Sequence, residues 1–184
     1  MATKRIESIL MKGYVNKGLR MSYIYNLELD SKYNTIVETD EGNIKIYPAY
    51  MICISEPYPG PRIFISSMKY FTFVVLLEKS VKLIQENLFE LFPNVGKVEF
   101  DMDDSALERF QKEKALSSAD ITIIPVVYTD STSTCSPGLR ISIENKDSSI
   151  VIPLEDAIAM NRLFSTFDPN MYGLSILSKL INIE

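Results

Sequence analysis

Histidine is absent from all 184 residues. Its absence removes the Ser-His-Asp triad, the Cys-His pair, the His-x-x-x-His metal site and any imidazole acid or base working near neutral pH. Glycine occurs only 7 times, and neither G-x-x-x-x-G-K-[ST] nor G-x-G-x-x-G can be found, so phosphate loops of those kinds are excluded. Cysteine is limited to Cys53 and Cys135, far apart and without Cys-x-x-Cys spacing. They read as two reduced, buried thiols rather than a disulfide framework or a zinc site. No apolar run approaches the roughly 18–20 residues that span a bilayer; the longest, Tyr70 to Leu77, is the length of a buried strand and its continuation. Lys4, Arg5 and Glu7 interrupt what would be the apolar core of a leader. These absences point to a soluble, cytoplasmic protein without a membrane partner, a cofactor, a metal or a compact catalytic motif. A non-enzyme is expected.

Charge narrows the reading further. The chain carries a formal net charge of −5, whereas a general polyanion binder is basic on at least one face. A nucleic-acid reading therefore requires a local basic patch.

What is present is an internal repeat. Ile44-Lys45-Ile46-Tyr47-Pro48 is matched by Ile121-Thr122-Ile123-Ile124-Pro125, an offset of 121 − 44 = 77. Pro59-Gly60-Pro61-Arg62-Ile63-Phe64-Ile65 is matched by Pro137-Gly138-Leu139-Arg140-Ile141-Ser142-Ile143, and Leu77-Glu78 and Pro93-Asn94 by Leu154-Glu155 and Pro169-Asn170. The I-x-I-x-P blocks read as alternating strands ended by proline, the P-G-x-R-I-x-I blocks as turns feeding strands, and the Leu-Glu pairs as helix starts. An α+β fold of two tandem ββββα repeats follows, each an antiparallel sheet with one helix, related by a pseudo-twofold axis in one compact domain.

In the first repeat, residues 20–96, the expected strands are 20–30, 44–54 with a break near Pro48, 62–66 and 70–76, followed by a helix over 77–92. In the second, residues 97–173, they are 97–102, 121–129, 139–145 and 149–152, followed by a helix over 153–167. A capping-box pattern, Ser105-Ala106-Leu107-Glu108, predicts a helical insertion over about 104–117. Residues 1–19, with Lys4, Arg5, Lys12 and Lys17 against Glu7, read as a basic arm, and 174–184 as a last apolar helix. Asp101, Asp103 and Asp104 lack calcium-loop spacing and read as a solvated loop or helix cap.

Strand alternation sorts the faces. If Ile44, Ile46, Ile63, Ile65, Phe71 and Phe73 turn toward the helix, then Lys45, Tyr47, Arg62, Phe64, Tyr70 and Thr72 share the other face. Two cations beside three aromatic rings suit single-stranded nucleic acid, whose bases stack on rings while cations hold phosphates. The same residues equally suit packing against the second repeat or another subunit. Arg140 occupies the site equivalent to Arg62 in the second repeat.

The order ββββα, twice, resembles the superfamily of the single-stranded-DNA-binding transcriptional coactivator PC4, the plant Whirly proteins and the PUR-repeat proteins. The stretch from Gly138 to Ala157, Gly-Leu-Arg-Ile-Ser-Ile-Glu-Asn-Lys-Asp-Ser-Ser-Ile-Val-Ile-Pro-Leu-Glu-Asp-Ala, is similar to the last two strands and helix start of a PUR repeat. The resemblance implies a sheet surface that binds single strands, with Lys45, Tyr47, Arg62, Phe64 and Arg140 as contacts. It departs from the family in its acidic charge and in lacking a lysine- and glycine-rich strand of the Whirly kind. Two functions are carried forward. One is non-enzymatic binding of single-stranded DNA or RNA in replication or transcription. The alternative is a structural or adaptor module, with a protein partner or a second copy as ligand, in keeping with a phage-like composition rich in Ile, Asn, Lys, Ser and Tyr.

Overall fold

Alternation over Arg62-Ile-Phe-Ile-Ser66 produces a strand whose two isoleucines are buried while Arg62 and Phe64 stay outside. The same rule lays out most of the chain in the computed structural model, which describes residues 5–26, 34–38, 44–48, 50–92, 109, 111–132, 134–143 and 148–181. The strands of the first unit are β1 (Arg5–Lys12), β2 (Arg20–Asn26), β3 (Asn34–Glu38), β4 (Ile44–Pro48), β5 (Tyr50–Ser55) and β6 (Arg62–Ser66). Helix α1 (Tyr70–Glu86) and the single turn α2 (Leu88–Leu91) follow. The second unit has β7 (Leu116–Ser118), β8 (Ile121–Thr129), β9 (Cys135–Ile143), β10 (Ser149–Pro153) and α3 (Leu154–Thr166), with α4 (Pro169–Ile181) after it.

Each unit is an antiparallel meander with a helix after its last strand. The first sheet has the order β1-β2-β5-β6 and the second β7-β8-β9-β10, while β3 and β4 form a separate two-stranded ribbon inserted between β2 and β5. The α+β class and two four-stranded antiparallel sheets, each followed by a helix, thus agree with the sequence pattern, but the first sheet takes β1 from the expected basic arm, and the expected strand over 70–76 is helix.

The residue correspondence does not follow that pattern. Ile54 pairs with Ile63 as Ile141 pairs with Ile150, and Ile52 pairs with Ile65 as Leu139 pairs with Ile152. Equivalent positions in the last two strands are therefore 87 residues apart (150 − 63), not 77. Arg62 opens an edge strand, whereas Arg140 lies on the interior strand β9 and corresponds to Cys53. The short motifs recur because strands need alternation and turns need Pro-Gly, whichever strand they build.

Other boundaries move for local reasons. Residues 70–76 were expected as a strand, but they open α1: Tyr70, Phe73, Leu77, Val81 and Ile84 form one buried stripe at three- and four-residue steps. Aromatic and β-branched residues favour strands only weakly, and this stripe overrides them. The basic arm contains β1, whose seven pairings with β2 make it an edge strand. The predicted strand at 97–102 and the aspartates at 101, 103 and 104 lie outside the described residues. Of the helical insertion, residues 111–113 are helical and 116–118 belong to β7. The helix placed over 153–167 spans Leu154–Thr166, with Pro153 as its N-cap, and α4 begins earlier than expected, at Pro169.

A single core joins the units. Met21, Tyr23, Ile52, Ile54, Ile63 and Ile65 of the first sheet, and Ile121, Ile123, Leu139, Ile141, Ile150 and Ile152 of the second, belong to one buried cluster with both long helices. Helix α1 packs against α3 and against β7 and β8 of the other unit, and β6 lies beside β9 and β10. Phe164 of α3 meets Phe73 and Tyr70 of α1 edge-on, at ring-centroid distances of 5.7 and 5.5 Å.

The helix starts are clamped across the units. Lys69, the N-cap of α1, reaches Asp120 at 3.6 Å. Asp120 lies in the two-residue β7–β8 turn, where Ala119 and Asp120 adopt the positive φ that such hairpins require. In α3, Asp156 is likewise bound by the β1–β2 loop of the first unit. Small sheets with one helix bury marginal cores, and each unit here completes the other.

Candidate nucleic-acid interface

The ladder of the first sheet sets which side chains share its outer face. Lys12 pairs with Arg20, Arg20 with Ser55, and Ser55 with Arg62, so one cross-strand row carries Lys12, Arg20, Ser55 and Arg62. The three cations are exposed. The next row is Ile9, Ser22, Cys53 and Phe64, and the third is Glu7, Ile24, Met51 and Ser66; Ser22, Cys53 and Ile24 are buried, so the accessible part of the face is the basic row and the edge strands. Neighbouring strands are close to 5 Å apart, so the basic row is about 15 Å long. Phe64 is 38% exposed on one edge strand and Ile9 is 50% exposed on the opposite one.

Two loops close this end of the sheet. The β1–β2 loop, residues 13–19, presents Tyr14 and Lys17, and the β5–β6 loop, residues 56–61, presents Tyr58. Tyr14 is 74% and Tyr58 87% exposed. The side-chain N–H₂ of Asn16 donates to the Glu56 carboxylate at 2.8 Å, fixing the loops side by side, and its Oδ1 accepts the Gly18 N–H at 3.1 Å within the first loop. A β-carbon on Gly18 would come within 3.0 Å of Pro57, so glycine permits this approach.

Several acidic groups near this end are turned onto donors of the protein itself, while Glu155, beside Tyr14, is exposed. Glu56 accepts from Asn16. Asp156 accepts the backbone N–H groups of Tyr14, Val15 and Asn16 at 2.6, 3.2 and 3.0 Å. Asp130 accepts the Thr132 hydroxyl at 2.7 Å and the N–H groups of Thr132 and Thr134, which hold its carboxyl below the ordinary range, the hydroxyl most strongly. Burial, then the charges of Glu56, Asp130 and Asp156, raise the pKa of Tyr128 above that of a free phenol.

Of the six residues singled out by sequence, the fold unites Arg62 and Phe64 on this face. Lys45 and Tyr47 lie on β4 in the separate ribbon, opposite Val37 and Thr35; their side-chain placement falls outside the described residues. Arg140 is exposed on the outer face of the second sheet, between Ile124 and Val151. Tyr70 belongs elsewhere: it is 3% exposed in α1, stacks edge-on with Tyr50, and donates its hydroxyl to the Phe167 carbonyl at 3.5 Å. Burial, then the nearby Asp168 carboxylate, pushes its phenol up to about 12.

Arg20, Tyr14 and Tyr58 were not singled out. A signal existed for the tyrosines, since each stands in a turn framed by glycine or proline: Gly13-Tyr14 and Tyr58-Pro59-Gly60. Arg20 and Lys12 meet Arg62 only through strand register, which no local pattern encodes.

Among the described residues there is no group of three or more cysteine, aspartate or glutamate side chains able to hold a metal ion, and no helix long and apolar enough to cross a membrane. No family model, curated protein or solved structure matches the chain.

Proposed function

We propose that this chain is a non-enzymatic single-stranded nucleic-acid-binding protein that uses the exposed basic row and loop end of its first sheet. The observation that supports the reading is the convergence of Lys12, Arg20 and Arg62 in one row next to the exposed Phe64, in a chain of net negative charge. Cations in a row neutralise successive phosphates, and an aromatic ring beside them accepts a base by stacking irrespective of sequence. With three or four phosphate contacts, log K should fall with log[salt] at a slope of roughly −2 to −3, using about −0.7 per contact for a single strand.

The test is fluorescence anisotropy of labelled oligo-dT at low and moderate salt. No binding at micromolar protein in low salt overturns the proposal. Replacing Arg62 and Phe64 together by alanine should weaken binding tenfold or more, while replacing Lys79 and Lys112 should leave it within about twofold; equal effects would discredit this surface.

A second reading, an adaptor with a protein partner or a second copy as ligand, draws on a different observation. Met68, Phe71 and Val75 lie on one exposed side at the start of α1, with Phe71 69% exposed. A chain that ignores oligonucleotides yet self-associates or retains a specific protein, and loses that on Phe71→Ser, selects this reading.

A further inference from the structure

We infer that the β1–β2 loop is the part of the first unit that grips a nucleobase, and that Asp156, from the second unit, is the residue that positions it. The inference rests on the nucleic-acid reading above.

The loop is held by its own backbone and by the second unit. Gly13 N–H donates to the Leu19 carbonyl and Leu19 N–H to the Asn16 carbonyl, both at 2.9 Å, closing the loop on itself. The three consecutive N–H groups of Tyr14, Val15 and Asn16 converge on one carboxylate, Asp156, which is 0% exposed and lies in the first turn of α3. Three N–H donors in succession form an anion-binding concavity, and here the anion belongs to the protein. What remains outside is Tyr14, Val15 and Lys17, an aromatic ring and a cation with one small apolar side chain. A solvent-exposed ring on a loop clamped this firmly is pre-organised, so stacking a base on it loses little conformational freedom.

A cleft supplies the place for the base. Tyr14 stands at its edge, Leu10 and Met11 of β1 and Ile158, Ala159 and Leu163 of α3 form its walls, Arg162 and Glu155 flank it, and its volume is about 530 Å³. That volume lies within the range of small-molecule sites, and apolar walls with an aromatic edge match a nucleobase. Lys12 and Lys17 flank Tyr14 in the chain and continue toward the basic row. The second unit thus contributes Asp156 and the α3 wall to the ligand surface, rather than its own sheet.

Oligo-dT anisotropy with Tyr14→Ala, Tyr14→Phe and Asp156→Asn decides the matter. Tyr14→Ala should weaken binding roughly five- to a hundredfold, the range of base–aromatic stacking, while Tyr14→Phe should stay within about twofold because the ring is kept. Asp156→Asn should weaken binding while still folded, and hydrogen exchange should show loss of protection at the amides of residues 14–16 and not across β8 and β9. If wild type binds and Tyr14→Ala binds equally well, the loop has no such role and the inference falls while the broader function stands. If wild type does not bind, both fall. Should Asp156→Asn fail to fold, the Tyr14 pair still decides for or against the loop.

Discussion

Replacing Asp156 by alanine tests how strongly the two units are locked together. Its carboxylate has no solvent exposure and accepts three backbone N–H bonds from a segment about 140 residues earlier in the chain. It also lies in the first turn of α3, where the helix dipole favours negative charge. Hydrogen bonds to a charged group contribute about 1.5–3 kcal/mol each. The sum overstates the loss, since loop amides freed by the change can turn to water. Breaking a buried charged contact costs about 3–5 kcal/mol as a whole, and the lower half, about 3–4 kcal/mol, suits a loop at the surface. For a chain of this length each kcal/mol lowers Tm by roughly 2–4 °C, so Asp156→Ala should melt roughly 6–15 °C below wild type. Asparagine keeps one acceptor oxygen for Tyr14 and Val15 but turns an N–H₂ toward the Asn16 N–H, and should cost about 1–3 kcal/mol. Urea unfolding followed by circular dichroism measures both, with exposed Glu155→Ala as the reference. An Asp156→Ala chain within about 1 kcal/mol of wild type, at unchanged m-value, would refute the idea that this carboxylate clamps the units.

Three further outcomes follow from the packing. Phe164→Ala removes the ring that meets Phe73 and Tyr70 between the two helices and should cost about 3–5 kcal/mol in the same unfolding assay; a loss under 1 kcal/mol would mean the helix interface is not well packed. Ser80→Ala should leave stability unchanged or raise it by about 0.5–2 kcal/mol, because the Ser80 hydroxyl is buried in α1 without a hydrogen-bond partner among the described residues and alanine is the better helix former; clear destabilisation would show that the hydroxyl is satisfied. Tyr23, Tyr50 and Tyr70 all ionise later in the folded chain, chiefly through burial, Tyr70 at about 12 against 10 for a free phenol. Their contribution is therefore complete below pH 10 and is lost as pH rises from 10 toward 12, where only the unfolded chain releases the protons. Denaturation midpoints measured from pH 8 to 12 should fall over that window, and Tyr70→Phe should fall less steeply; parallel curves would contradict the assignment for Tyr70.

Much of the architecture was legible because it rests on short-range periodicity. Ile63 and Ile65, or Ile121 and Ile123, alternate with polar neighbours and must form half-buried strands wherever the chain takes them. The break at Pro48 was visible for a similar reason: the structure ends β4 there, and β5 begins at Tyr50. Tyr70 to Leu76 failed because a short apolar run fits both periods, and the arbiter was the continuation of the stripe to Val81 and Ile84.

The sequence alone determined the alternation of the strands, the α+β class with a helix closing each half, and the absence of any histidine-based chemistry. These depend on neighbours along the chain and on residue type, which a sequence states outright. Only the tertiary structure decided which strand stands beside which, and therefore that Lys12, Arg20 and Arg62 share a row, that Arg140 is not the counterpart of Arg62, and that Asp156 holds the Tyr14 loop. Strand register and contacts between distant segments are settled by how the whole core packs, and no single stretch of residues carries that information.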